Sequence, residues 1–263
     1  MSTNPNRANI SGKTLKLVLA ALLAAMALAL KPLSFKLLPT VRLSFIPVPV
    51  LIAGTILGPI WGALVGIVVD VGGFLIAPDG AWNPFITIAV AVVGMIPGLV
   101  FNAKRKGVKA KWNVLNVCAY VALLVIVISL FVITKSIKLE GGVVSVVSPG
   151  SLKWTPVAWW VIGAIFAAFI FYSIVVILMA SKKKVGGEKL DAETTAAILF
   201  AVTCAYLCGY ILIEGTALAI MYGWKLPITY AIKIFQSFLS IPLYSLLVML
   251  VYPVLEKQVK KLQ

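Results

Sequence analysis

Apolar positions run in long unbroken blocks separated by short polar segments. The first covers residues 14–30 (TLKLVLAALLAAMALAL), and others fall at about 43–57, 59–77, 85–101, 113–134, 155–180, 193–222 and 228–254. Most approach or exceed the roughly 18 residues that a helix needs to cross the hydrocarbon layer, and none shows the alternation of an outer-membrane barrel. The pattern therefore predicts an all-α polytopic membrane protein with about eight transmembrane helices. The block at 43–57 is short and opens with Pro47 and Pro49, so an irregular or tilted entry buried against neighbouring helices is expected.

The first block could be mistaken for a secretory signal, because basic residues precede it and Ala-x-Ala sites follow. Many further spans come after it, and a retained helix is the expectation. Residues 1–13 read as a polar cytoplasmic tail. The whole chain, 1–263, reads as a single integral membrane domain.

Composition narrows the class further. With 62% hydrophobic and 12% charged residues, the chain carries more apolar sequence than a soluble core requires. Its formal charge of +15 would suggest nucleic acid on one soluble face, but the basic residues are dispersed between apolar spans, so no nucleic-acid partner is expected. Tails and loops on one side hold 15 Lys and Arg residues, while the alternate loops hold 7. That asymmetry places both termini in the cytoplasm and turns the loops at 31–42, 78–84, 135–154 and 223–227 outward.

Chemistry for catalysis is sparse. Histidine is absent, and Cys118, Cys204 and Cys208 lie in apolar helices without a CxxC pair, so neither a metal site nor a cofactor is expected. Gly12-Lys13-Thr14 imitates the end of a phosphate-binding loop, but Arg7 stands where its first glycine should be and no strand precedes it. The chain is thus not expected to be an enzyme, and energy for active transport would come from an ion gradient or another subunit.

Only Asp70, Glu214 and Lys233 place charge inside spans, where ionisable groups are costly and mark pathways or sites. Helix rise puts them about 10, 12 and 8 Å below the outer ends of their helices. Arg42 and Phe45 at the start of the second span, and Trp82, Asn83, Phe85 and Thr87 around the start of the fourth, come to the same level. Together they could form a pocket open to the outside. The alternatives are that Glu214 and Lys233 simply pair to orient two helices, that Trp82 belongs to the interfacial aromatic belt, and that Arg42 snorkels.

Small residues suggest packing. Gly54, Gly58, Gly62 and Gly66 recur every fourth position, and beyond Pro59 the last two share a face that permits close helix contact. Ala21, Ala25 and Ala29 form a similar stripe on the first helix, suited to internal packing or to a partner helix.

Arg42-Leu43-Ser44-Phe45-Ile46-Pro47, Ala53-Gly54-Thr55-Ile56-Leu57-Gly58-Pro59-Ile60-Trp61-Gly62, Val65-Gly66-Ile67-Val68-Val69-Asp70, Ala77-Pro78-Asp79-Gly80 and Pro84-Phe85-Ile86-Thr87 together carry a resemblance. They are similar to the substrate-binding S components of energy-coupling factor (ECF) vitamin transporters, most closely the folate branch. Gly215-Thr216-Ala217-Leu218, Tyr222-Gly223, Lys233 and Ile241-Pro242-Leu243 resemble the family's closing helix pair more loosely. The resemblance covers about half the chain.

It implies a six-helix bundle that captures a vitamin from outside and joins a transmembrane coupling subunit and two cytoplasmic ATPase subunits. It also implies that Ala21, Ala25 and Ala29 face the coupling subunit. Residues 1–112 and 190–263 would be the core, and 113–189 an inserted transmembrane hairpin with its cytoplasmic loop. Folate suits the charges: paired N–H donors of a pterin for Asp70, aromatics for its ring, and Arg42 or Lys233 for its glutamate tail. Trp82-Asn83-Pro84-Phe85-Ile86-Thr87 departs from the folate branch's aromatic-Pro-Gly-Phe-Thr pattern. From another class, a self-sufficient secondary transporter would use Asp70, Glu214 and Lys233 to relay protons.

Overall fold

A computed structural model describes residues 5–33, 35–38, 41–78, 81–108, 111–112, 114–116, 118–119, 121–122, 125, 137–140, 143–147, 154–158, 184–185, 188–189, 191–223 and 226–262. Side chains are described for a subset, which leaves out those of 5–11 and 33–43.

The membrane-embedded part is helical. α1 (Pro5–Ala29), α2 (Pro47–Leu57), α3 (Pro59–Ile76) and α4 (Pro84–Arg105) precede α5 (Ala192–Ala205), a π-helical segment (Tyr206–Glu214), α6 (Gly215–Tyr222) and α7 (Leu226–Leu262). Among the described residues, five stretches are long and apolar enough to cross a membrane: Gly12–Ala29, Pro59–Ile76, Pro84–Arg105, Ala192–Tyr222 and Ile232–Val259.

α1 begins earlier than expected. Pro5 opens a helix that carries the polar residues 5–13 in continuity with the apolar span, a position where the missing proline N–H costs nothing. α1 packs on α2 and α3 through Ala20, Leu23, Ala24 and Ala27, while Leu17, Val18, Leu22 and Met26 are exposed.

α2 is buried over all 11 of its residues. At 1.5 Å per residue it is about 16 Å long, half a bilayer, and can exist at that depth only because α1, α3, α4 and α7 surround it. Its start is corrected by four residues from the expected span: 41–43 form strand β2, paired antiparallel with β1 (Phe35–Leu38), and Arg42 lies opposite Lys36. The helix waits for Pro47 because proline suits a first turn but not a helix interior.

Gly58 then turns the chain at φ +102°, a conformation that a side chain would strain, and Pro59 starts α3. Backbones meet across this region. A Cβ on Gly54 or Gly62 would fall on the Gly94 carbonyl, one on Gly98 on the Pro59 backbone, and one on Gly66 on the Val90 carbonyl. The four-residue glycine spacing is therefore a helix–helix contact, as its period predicts.

Only parts of the stretch between α4 and α5 are among the described residues. The described positions between 112 and 125 are helical, in agreement with a helix starting near 113. Residues 126–136 and 159–183 lie outside the described residues. Between them β3 (Ile137–Glu140), β4 (Val143–Val147) and β5 (Trp154–Ala158) form an antiparallel sheet in that order. The helix expected from 155 does not begin there. Trp154, Thr155 and Val157 favour extended backbone, and Pro156 is tolerated because β5 is an edge strand. Two two-residue strands, β6 (Lys184–Val185) and β7 (Glu188–Lys189), pair in the loop before α5.

Candidate binding cavity

One end of the bundle opens into a cavity of about 750 Å³, within the range of sites for drug-sized ligands. Its walls come from both halves of the chain. α3 supplies Val69, Asp70, Gly73 and Phe74, the loop before α4 supplies Ala81, Trp82 and Asn83, and the entry to α2 supplies Ser44, Ile46 and Pro47. The π segment contributes Tyr206, Tyr210 and Glu214, and α7 contributes Thr229, Lys233, Gln236 and Tyr244.

The three charges expected inside spans all line this cavity. Thr87, buried on α4, donates its hydroxyl to Asp70 Oδ2 at 2.6 Å. Lys233 Nζ donates to Glu214 Oε1 at 2.6 Å, and both side chains are about 85% buried, with relative exposures of 14% and 16%. Glu214 Oε2 is buried and has no hydrogen-bond partner among the described residues. A carboxylate oxygen left that way beside a cavity is a site for a ligand's donor, because desolvating it without one is costly.

Trp82 is half exposed at the mouth. Asn83 has a structural task as well: its Oδ1 accepts the Phe85 backbone N–H at 2.9 Å and caps α4. Phe85 and Phe45 are outside the lining, and Phe85 is 58% exposed. For Arg42 the structure gives only its strand register, since its side chain is outside the described ones. Ala21, Ala25 and Ala29 are exposed on α1, opposite the alanines that pack inward.

Several lining residues are absent from the sequence-based set. Tyr206 and Tyr210 have ring centroids 4.8 Å apart, and Tyr206 meets Tyr244 at 5.8 Å. The hydroxyl of Tyr244 donates to the Ser44 carbonyl and so ties α7 to the entry of α2. Spacing of four from Tyr206 through Tyr210 to Glu214 is the signal that could have found the tyrosines. Lys31, just after α1, also lines the cavity, and its Nζ donates to the Gly73 carbonyl and to that of Ala77 at 2.6 Å.

The opposite end is held by cations of α4. Arg105 donates to the Thr55 carbonyl at 2.8 Å and the Ile56 carbonyl at 3.2 Å, satisfying the open end of α2. Lys104 bonds Thr194 and lies 3.6 Å from Asp191, which precedes α5. Burial raises the proton affinity of Asp191, but the Thr194 hydrogen bond and the Lys104 charge outweigh it and hold the carboxyl below its usual range.

The family model for the ECF transporter substrate-specific component matches residues 15–181. The chain belongs to that family. The match of this ECF substrate-specific component begins in α1, includes α2, α3 and α4, and ends before α5. Among curated proteins, it is 37% identical over 71 residues to the "Folate transporter FolT" of Clostridium novyi (strain NT). That alignment covers 27% of this chain and 41% of the relative, so the chain spans less than half the relative's length. No solved structure matches it. Membership makes the chain a substrate-specific component by family, and its apolar helices are those of a multi-pass membrane protein.

Proposed function

We propose that the chain is the high-affinity capture subunit of an ECF importer and binds folate or a related vitamin from the extracellular side. The observation that carries the reading is the cavity itself, in which Asp70 and the unpartnered Glu214 Oε2 offer acceptors beside the Tyr206 and Tyr210 rings and Trp82. Adjacent N–H donors of a pterin would meet the carboxylates, and the aromatic side chains would flank its ring. The name of the Clostridium relative favours folate within that chemistry.

The remaining architecture follows from the same reading. Eight transmembrane helices would comprise a six-helix core, 1–112 and 190–263, and an inserted hairpin within 113–189. Both termini would lie in the cytoplasm of a prokaryotic cell, with the chain in its plasma membrane. The exposed face of Ala21, Ala25 and Ala29 would receive a transmembrane coupling subunit, whose two ATPase partners would supply the energy. Small side chains there let a second helix approach closely.

Purified protein titrated with folate should show quenched tryptophan emission. Asp70→Asn should weaken binding about ten- to hundredfold, the cost of losing a charge-assisted acceptor. Unchanged affinity in that variant would remove Asp70 from the site. Ala25→Trp should leave binding intact and abolish uptake in cells that carry the full complex.

A further inference from the structure

We propose that Lys31 is the residue that recognises a carboxylate on the ligand and thereby selects anionic ligands over neutral ones with the same ring. The proposal rests on the vitamin-binding reading above and names the specificity element of that site.

Lys31 is placed for this by the ends of two helices. It follows α1 directly, reaches the last turn of α3, and lines the cavity. Its partners there are the backbone carbonyls of Gly73 and Ala77, the end of α3 where the helix dipole is negative and attracts an ammonium. An ammonium has three donors, and these two carbonyls use two of them. Among the described residues the third has no further partner, and Lys31 lines the cavity.

Lys233 is in a different position. Its charge is matched by Glu214 at 2.6 Å, so a ligand carboxylate could take it only by breaking that pair and stranding the glutamate in a mostly buried place. The carbonyls that hold Lys31 are neutral, and a carboxylate can join them without displacing an acid. Hence Lys233, one of the two cations expected from sequence to meet the anionic end, is better read as the partner that holds and aims Glu214.

The spacing also fits a ligand with two unlike ends. Asp70, Gly73 and Ala77 succeed one another along one side of α3, and helix rise puts the two carbonyls about 5 and 10 Å above Asp70. Lys31 is within electrostatic reach of Asp70. A molecule with a donor-rich ring at Asp70 would therefore present its acidic end to Lys31, nearer the mouth.

The test compares folate with 6-hydroxymethylpterin, which keeps the ring and lacks a carboxylate, on wild-type, Lys31→Gln and Lys31→Arg protein, by calorimetry or tryptophan quenching. Lys31→Gln should lose about ten- to hundredfold for folate and stay within about twofold for the neutral pterin, with Lys31→Arg largely restoring folate. Retained pterin binding also shows that the variant is folded. Equal losses for both ligands would make Lys31 a cap for α3 and overturn the proposal, as would undiminished folate binding. If wild-type protein bound neither ligand, the vitamin reading itself would fall and this proposal with it.

Discussion

The two walls of the cavity are built on opposite principles. On the α2–α3–α4 side, glycines let backbones touch and leave no room for adjustment. On the α5–α6–α7 side, the wall is made of long side chains, among them Tyr206, Tyr210, Tyr244 and an ion pair, carried partly on a nine-residue π-helical segment. π-helical turns are rare and concentrate at functional sites, because the widened turn leaves its backbone less well packed than an α-helix. The first wall fixes where Asp70 stands, and the second offers groups that can shift to meet a ligand.

If that contrast holds, small changes to the first wall should be worse than larger changes to the second. Gly94→Leu is the severest case, since its side chain would enter the Gly62 carbonyl and the Val50 methyl. No flexible neighbour can yield there, so a loss of about 3 kcal/mol or more is expected. Monodisperse protein recovered in detergent should fall to near nothing. Gly72→Ala is the control: its Cβ meets only the Leu28 side-chain end, which can move, and it should melt within a few degrees of wild type.

A smaller effect is expected from the second wall. Lys233→Met strands Glu214, whose Oε2 already has no partner. The full cost for a sealed interior is about 3–5 kcal/mol, but this pair borders an open cavity, so about 2 kcal/mol is expected. Adding Glu214→Gln should recover most of the thermal stability while leaving ligand binding weak. A double variant no more stable than the single would mean that the pair does not hold this wall together.

The difference between the walls also explains what could be read in advance. Gly54, Gly62 and Gly66 announce close packing by their period alone, and Asp70, Glu214 and Lys233 stand out because charge inside apolar sequence needs a reason. Tyr206 and Tyr210 are marked only by their four-residue spacing to Glu214, and Tyr244 carries no mark at all. A tyrosine in an apolar helix looks the same whether it faces lipid, core or cavity, and only the packed bundle distinguishes these cases. Phe85 shows the converse: near the right level along the chain, it is nevertheless exposed, because it stands two residues, about 200° around α4, from Thr87, which is the one that meets Asp70. Lys31 was visible only as a loop cation, since its partners are backbone carbonyls, which leave no trace in side-chain identity. Residues 154–158 likewise look apolar enough to start a helix, and their strand pairing is a non-local fact.

The two walls are tied together at the end away from the cavity, where Lys104 of α4 meets Thr194 and Asp191 at the start of α5. The smallest effect is expected here. Asp191 has a folded proton affinity below its unfolded value of 3.8, so its contribution is fully present above about pH 4 and is lost as pH falls through the lower folded value. Its side chain is 61% exposed, so screening limits the contribution to a few tenths of a kcal/mol. Thermal melts of Asp191→Asn and wild type should therefore differ by about one degree at pH 7 and draw together as pH falls below 3.8. A gap that does not narrow on acidification would show that the residue acts through the N-terminus of α5 rather than through its charge, and the tie between the walls would then rest on Thr194 alone.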